Sequence, residues 1–589
     1  MSSVGPARIE LLLAKGEARG ARFVLKADKA GDRVVRIRAS SPTHADAMER
    51  TVIVTPDGQA ITRTINGRVI GSAQASVELP QGAIEGGNDL YVKIYGGPLS
   101  QVAEGLDGVF HMPHGCFEQT SSTTYPSVMA LQFLGRTKSA SREIERKARE
   151  YIGQGYQRLV SFEVPGGGFS LFGKEPASMI LTAYGLLEFS DMARVAVVDA
   201  ALIERTREWL YKQRTATGGW TRAHDPKDTD ARDDPMVTAY AAWALAASAT
   251  KPDPRLGGVL DTVAHLSSVE AGDPYALALR ASALQAGDRP DVARPLLERL
   301  VTQAIHADEG IHFTSSAQGV MYSHGSSLDI EVTGLATHAL AMAAMEPELR
   351  AGALDWLVTR RGPLGTWSTT QATIAAMRAL LDDAQPVTTE PQDIHVLVDG
   401  EEEERFTLAP GARDVHHLVS LRRAAATGKH VMELRATGKG DVSYQLVATH
   451  YLPWQRPTGA SLGLDVTYGP TAVEAGSTMG CRVRLDWRGK VPARMPLVEI
   501  GVPPAFAVET DELDALLRNP GSTPVQRYTI ERGKVTLYLL GVAEDRPVTI
   551  DLHMRALWPA NVTAPASSAY LYYEPEVRAE TGPVRVRSL

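Results

Sequence analysis

Two side chains three positions apart, Cys116 and Gln119, carry the sharpest chemical possibility in this sequence. Residues i and i+3 are neighbours on a helical turn, so the Cys116 sulfur can meet the Gln119 carboxamide. If the sulfur displaces ammonia, a strained internal thioester forms. A thiolate leaves an acyl carbon far more readily than an amine does, since a free cysteine ionises near pKa ~8.5. The acyl carbon of Gln119 is then a stored electrophile. A neutral lysine amine or a hydroxyl attacks it, an amide or ester forms, and Cys116 is freed. Gly115 allows the backbone bend that brings the ring together. A helix starting just beyond could stabilise the oxyanion through its free N–H groups. Water attacks the same bond, so it must be shielded until use. The spacing Cys-x-x-Gln is weak evidence by itself, because it arises by chance.

Such a pair needs rigid elements around it. Val34-Val35-Arg36-Ile37-Arg38, Arg50-Thr51-Val52-Ile53-Val54 and Leu90-Tyr91-Val92-Lys93-Ile94 are short, β-branched and partly alternating. Pro56-Asp57-Gly58 and Glu85-Gly86-Gly87-Asn88-Asp89 separate them as turns, a β-sandwich composition. Near Pro98 the period changes, and from about Thr120 to Asp383 the chain is rich in Ala and Leu at helical spacing. One pattern returns there: Leu181-Thr182-Ala183-Tyr184, Val237-Thr238-Ala239-Tyr240, Val332-Thr333-Gly334-Leu335 and Thr370-Gln371-Ala372-Thr373 each open an apolar, small-residue helix. Gly167-Gly168-Phe169, Gly218-Gly219-Trp220 and Gly365-Thr366-Trp367 punctuate the connections. A helical hairpin cannot bury its apolar face alone, so repeats of it must stack. The pattern predicts a closed ring of hairpins, an α/α toroid, with an open solenoid as the alternative. Strands resume after Pro386 with Ile394 to Gly400 and Val442 to Val447. Pro453-Trp454-Gln455-Arg456-Pro457 reads as a linker, and an all-β block runs from Leu462 to about Glu574. Two short strand blocks flanking a helical domain predict an insertion into one β domain.

Composition narrows the function. A net charge of −8 is small for 589 residues, with both signs interspersed and no long basic run, which argues against nucleic-acid binding. No stretch approaches the ~20 apolar residues of a membrane span. The first fifteen residues hold only the apolar patch Ile9 to Ala14 and do not lay out a signal peptide, so the chain is either cytoplasmic or a fragment of a secreted precursor. With only Cys116 and Cys481, a disulfide framework is excluded and Cys116 is left available for chemistry.

The words around the pair are more specific than its spacing. Pro113-His114-Gly115-Cys116-Phe117-Glu118-Gln119 resembles the Pro-Tyr-Gly-Cys-Gly-Glu-Gln thioester signature of the alpha-2-macroglobulin and complement family. Ser170-Leu171-Phe172-Gly173, the helix from Leu181, Glu331-Val332-Thr333 and Gly365 to Gln371 look like that family's toroidal thioester domain. The flanking strands look like its split CUB domain. Val498 to Phe506 and Tyr570-Leu571-Tyr572-Tyr573-Glu574 resemble its receptor-binding domain. The resemblance implies a CUB-like first half over 1–98, the toroid over 99–385, the second CUB-like half over 386–457 and a receptor-binding-like β-sandwich over 458–589. It implies that Cys116 and Gln119 form the bond, that Glu118 belongs to the motif, and that Tyr570, Tyr572 and Tyr573 lie where the last domain covers the thioester. Strand packing is the ordinary reading of any one of these tyrosines. The function implied is single-turnover covalent capture of proteases or other targets through lysine amines or hydroxyls, without a cofactor, in the periplasm or outside the cell. The near-absence of cysteine resembles bacterial members. Phe117 departs from the motif's glycine. The family's macroglobulin domains and bait region find no counterpart, which suggests a fragment or a split system whose partner chain supplies them.

Some relatives use a histidine from the loop after the second Gly-aromatic turn to steer reaction towards hydroxyls. His224 occupies that loop here, and a surface histidine is its ordinary reading. His416-His417 and His430 lack zinc-type spacing, so no metal site is expected. Two rival functions stand beside the trap. Cys116 could be the nucleophile of a Cys–His acyl-transfer enzyme with His224 and Asp225, which would leave Gln119 without a task. Alternatively, the thioester never forms and the domains serve as a non-reactive binding module.

Overall fold

The computed structural model describes residues 2–27, 30–96, 115–137, 142–222, 233–269, 272–363, 365–382, 391–409, 416–438, 442–455, 461–518, 524–531, 533–544 and 546–589. The helical region is built from α1 (Phe117–Thr137), α2 (Arg142–Val160), α3 (Met179–Met192), α4 (Ala200–Lys212), α5 (Pro235–Ala247), α6 (Pro254–Val269), α7 (Pro274–Ala286), α8 (Pro290–Val301), α9 (Gly325–Met342), α10 (Pro347–Thr359) and α11 (Thr370–Asp382). The odd-numbered helices pack in sequence, each on the next, and α11 returns to α1. That last contact closes the ring and excludes the open solenoid. The even-numbered helices pack outside it. Inner helices are apolar on every side because both faces are covered, and α3 and α5 are buried almost throughout. Small residues let them approach: a Cβ on Gly334 would stand 2.6 Å from the Ala375 backbone.

The recurring threonine has one task at each turn of the ring. Phe169 donates its backbone N–H to Thr182 Oγ1 (2.9 Å), and Trp220 to Thr238, Phe313 to Thr333 and Trp367 to Thr373 (each 3.0 Å). The aromatic residue after each turn is thereby pinned to the inner helix that follows, and all four rings are buried. Trp220 and Trp367 add the same second bond, donating Nε1–H at 2.8 Å to the carbonyls of Leu210 and Leu357. The repeat centred on His312-Phe313 lacks the glycine that marks the others.

Strands from both sides of the ring share one sandwich. One sheet runs in the order Glu401–Leu408, Gln392–Val398, Gly428–Thr437, Ser72–Leu79, and the other His416–Ser420, Asp89–Tyr95, Val442–Leu452, Gln59–Val69. Each sheet mixes strands from before and after the helices, so the ring is an insertion into a single β unit. Val92, Ile94, Val396, Leu434 and Leu446 fill its core. The ring sits on the sandwich through Asn66, whose Nδ2 donates to the carbonyls of Thr359 and Arg361, and through the Arg68–Asp355 pair at 2.7 Å. Of the stretch 1–98 assigned to this unit, the strands Gly31–Ser40 and Ala45–Val54 pair, among the described residues, only with each other.

The terminal domain is a second sandwich. Leu462–Gly469, Thr478–Trp487, Val548–Ala556 and Phe506–Val508 form one sheet, and Val525–Glu531, Lys534–Leu539, Pro496–Gly501, Ser567–Leu571 and Glu574–Thr581 the other. Val548–Ala556 alternates buried and exposed side chains without a break, as a half-covered strand must. Cys481 belongs to this core, and neither cysteine forms a disulfide.

The threonine pin is testable. Thr238→Val keeps the volume but leaves the buried Trp220 N–H unpaired, and is expected to cost ~1–3 kcal/mol in urea unfolding, with Thr238→Ser losing less. Equal stability of the valine variant and the parent would remove the pin from the account.

Candidate functional site

The chain enters α1 through Gly115, whose φ of +85° lies in the left-handed region that glycine occupies without penalty. Space forbids a side chain there as strongly as conformation does, since a Cβ would stand 1.8 Å from Gln119 Oε1. The Gln119 carboxamide folds back over its own first turn and accepts the Cys116 backbone N–H at 3.1 Å. A donor aimed at that oxygen is suited to a tetrahedral intermediate, where negative charge collects on it. Further bonds fix the turn: Thr120 donates both its N–H (3.0 Å) and its hydroxyl (2.9 Å) to the Cys116 carbonyl, Phe117 N–H donates to Leu171 O, and Arg158 donates to Gly115 O. Phe117, where the motif has glycine, is buried in the ring's core, its ring centroid 5.4 Å from Phe169 and 6.1 Å from Tyr184.

Cys116 is fully buried, and much of its cover comes from the other domain. Met495, Leu497 and Tyr538 pack with it, and Tyr570, Tyr572 and Tyr573 complete the cluster together with Leu171 and Phe172 of the ring. The structure thus brings Cys116, Glu118, Gln119 and the three tyrosines into one seam between the ring and the terminal domain. Tyr573 donates its hydroxyl to Glu118 at 3.2 Å, and Tyr572 shares a hydrogen bond with Thr370 at the same distance. The Tyr538 hydroxyl interacts with the Gln119 side chain. His224 and His114 lie outside the described residues.

Several participants escape the sequence. Tyr322, on the loop before α9, packs its ring at a tilt against Tyr573 (centroids 5.6 Å apart), while the Arg494 guanidinium of the terminal domain lies 4.5 Å above its ring and Arg222 lies 5.5 Å away. Tyr322 and Met495 both hold positive φ, 64° and 50°, a strained conformation for non-glycine residues. The Met495 carbonyl accepts the Tyr572 N–H. No local pattern marks these positions, because their partners lie in another domain.

Electrostatics follow from burial. Loss of solvent, helped by the nearby Glu118 charge, pushes the Cys116 thiol up to about 12. Arg158, Tyr538, Tyr572 and Tyr573 also interact electrostatically with that thiol. Burial also raises Glu118 from its ordinary 4.5 to about 8, against the opposing effect of the Tyr573 hydrogen bond. The folded chain therefore keeps a proton that the unfolded chain releases. Stability should be flat below the unfolded value, fall as pH rises towards 8 by up to ~1.4 kcal/mol per unit, and flatten beyond. Glu188, bonded to Ser121 and also raised to about 8, adds a similar slope. Glu118→Gln should flatten the decline of melting temperature between about pH 5 and 8 relative to the parent; parallel curves would mean that the carboxyl is better solvated than its surroundings indicate.

Comparison with known proteins follows the same division of the chain. Residues 90–382 match the family model of the A-macroglobulin TED domain, and residues 492–582 that of the A-macroglobulin receptor binding domain. Thioester-containing protein 1 allele S1 of Anopheles gambiae is 23% identical over 389 residues, covering 64% of this chain and 28% of that protein. The chain thus spans little more than a quarter of that curated relative. Native alpha-2-macroglobulin from Escherichia coli, in a structure from domain MG7 to the C-terminus, superimposes with a TM-score of 0.65 at 16% identity, over 95% of this chain and 88% of that one. Salmonella alpha-2-macroglobulin reacted with methylamine gives 0.66 at 18% identity, over 95% of this chain and 36% of that one. With both family models matched in order and the fold shared end to end, the chain belongs to the alpha-2-macroglobulin and thioester-protein family and corresponds to its C-terminal part.

Proposed function

We propose that Cys116 and Gln119 form an internal thioester and that this chain uses it to capture target proteins, proteases among them, through lysine amines or hydroxyls. At family level the role is covalent trapping and protease inhibition rather than turnover. The observation that carries the reading here is the seam cluster: the Cys116 sulfur is buried beneath another domain, while the Gln119 carboxamide leans on the Cys116 amide. A bond that water can cleave survives only where water is excluded, and the terminal domain supplies that exclusion. The tyrosines Tyr570, Tyr572 and Tyr573 are its cover, and Tyr322 with Arg494 is a second fastening of the same seam.

Reaction with a protein lysine then requires the terminal domain to move aside, because a side chain attached to a folded target cannot enter a closed seam. The trigger for that movement would come from macroglobulin and bait domains, supplied by a separate chain or by a longer form of this protein. The chain would act in the periplasm or outside the cell. Once the bond is used, Cys116 returns as a thiol and the Gln119 acyl group stays joined to the target, so the reaction occurs once per molecule.

Replacing the three tyrosines by alanine tests the cover. The variant should show free thiol on standing faster than the parent, and should form reduction-resistant adducts with a lysine-rich protein on denaturing gels. Cys116→Ala should form none in either background. Thiol release and adduct formation unchanged by the triple replacement would overturn the shielding role. Tyr322→Ala and Arg494→Ala should loosen the same seam to a smaller degree, with Tyr322→Phe close to the parent because the ring face is retained.

A further inference from the structure

The strands Gly31–Ser40 and Ala45–Val54 form a two-stranded sheet of 10-residue strands, and among the described residues each pairs only with the other. A lone two-stranded ribbon is marginal in water, and an edge of unpaired N–H and C=O groups is a template for another strand. This ribbon is also amphipathic. Residues opposite each other in an antiparallel pair share a side of the sheet. The register Arg33↔Val52, Val35↔Arg50 and Ile37↔Met48 therefore puts Val35, Ile37, Met48, Val52 and Val54 on one side. Asp32, Arg36, Arg38 and Glu49 lie on the other, together with Val34 and Ile53. Val34, Ile37, Met48, Val52 and Ile53 are all exposed, and contiguous apolar surface of this kind marks an interaction site.

The charges along the edge say what fits it. Arg36 is taken up by Glu49 across the hairpin, its Nε at 2.9 Å. The Asp32 and Arg38 side chains are exposed and, among the described residues, unpaired.

We infer that the strand Gly31–Ser40 is a dimerisation edge, which pairs antiparallel with the same strand of a second copy about a two-fold axis at Val35. Two identical strands matched antiparallel have their axis perpendicular to the sheet. Each face then continues onto the same face of the other copy, and only residues of equal parity stand opposite each other. Few long overlaps satisfy this. Centring the second strand of the hairpin on Glu49 or Arg50 sets like charges against each other at the axis, and centring the first strand on Arg36 does the same. Centring the first strand on Val35 sets Val35 against Val35. It also places Asp32 of each copy directly opposite Arg38 of the other, on both sides of the axis. Arg33 falls opposite Ile37; its guanidinium is already bound to the Ala30 carbonyl at 2.6 Å, which leaves the stem to cover the isoleucine. The product is a four-stranded sheet with one apolar face, a size at which a sheet holds together. A second copy is the occupant because the strand is complementary to itself. Neither Cys116 nor its cover enters this contact.

Sedimentation of the full chain over a range of concentrations tests it. A monomer–dimer equilibrium weakened by salt is expected. Arg38→Asp sets two carboxylates against each other at both ends of the seam and should raise the dimer Kd about tenfold. Asp32→Arg should do the same. The double reversal should return Kd to the parent value, which association through apolar side chains alone would not give. Both positions are exposed, so these variants leave the cores intact. Val35→Cys should yield a covalent dimer under mild oxidation and Arg36→Cys should not, since the axis brings only position 35 against itself. The native thiols of Cys116 and Cys481 are buried and stay out of that reaction. A chain that remains monomeric at every concentration would overturn the edge. So would an open-ended polymer, a dimer indifferent to Arg38→Asp, a double reversal no better than the single ones, or cross-linking at 36 in place of 35.

Discussion

The contact of the Cys116 amide with the Gln119 carboxamide oxygen, at 3.1 Å, makes demands that shape everything around it. It needs a backbone that turns sharply at Gly115 and a helix that starts at once, and the thioester proposed from it needs a site free of water. The first two are local and are met within one turn. The third is not, because a helix N-terminus on the rim of a ring is by nature open to solvent. Closure has to come from elsewhere in the chain, and it comes from the terminal domain, far along the sequence: Met495, Leu497, Tyr538 and the tyrosines near Tyr572.

That dependence gives each domain a mechanical role. The ring is a stiff base, closed on itself and pinned at four turns by the same threonine-to-amide bond. The sandwich threaded through it ties the chain entering the ring to the chain leaving it, and clamps the 359–363 segment through Asn66, Gln445 and Lys93. In the proposed mechanism the terminal domain is the part that moves. Its contacts at the site are largely rings and single hydrogen bonds, which separate as a unit more readily than an interlocked core does. The strained backbones of Tyr322 and Met495 lie at this seam, where strain bears on the balance between closed and open forms.

Much of this was legible in the residues. The threonine in each recurring tetrapeptide accepts the amide of the Gly-aromatic turn, so the repeat that marked the ring is also the bond that holds it. The Val332 tetrapeptide shares the helix pattern, but the turn before it at Phe313 lacks the Gly-aromatic signal of the other three. The closing tyrosines were found through their resemblance to a family segment and not through strand pattern, which gives the face of a strand but never its partner. For the same reason Tyr322, Arg494 and Tyr538 could not be found: their meaning comes from a contact between domains. The hairpin Gly31–Ser40 with Ala45–Val54 has the same β-branched alternation as the sandwich strands, and alternation cannot say which sheet a strand joins.

The most direct measurement is the intact mass of the purified chain with a parallel thiol count, before and after methylamine. The account predicts a starting mass one ammonia below that of the sequence, with Cys481 as the only thiol seen after denaturation. Methylamine should then add its own mass and release Cys116. A starting mass equal to that of the sequence, with both thiols present and methylamine without effect, would contradict the account and leave the seam a packed interface between two inert domains.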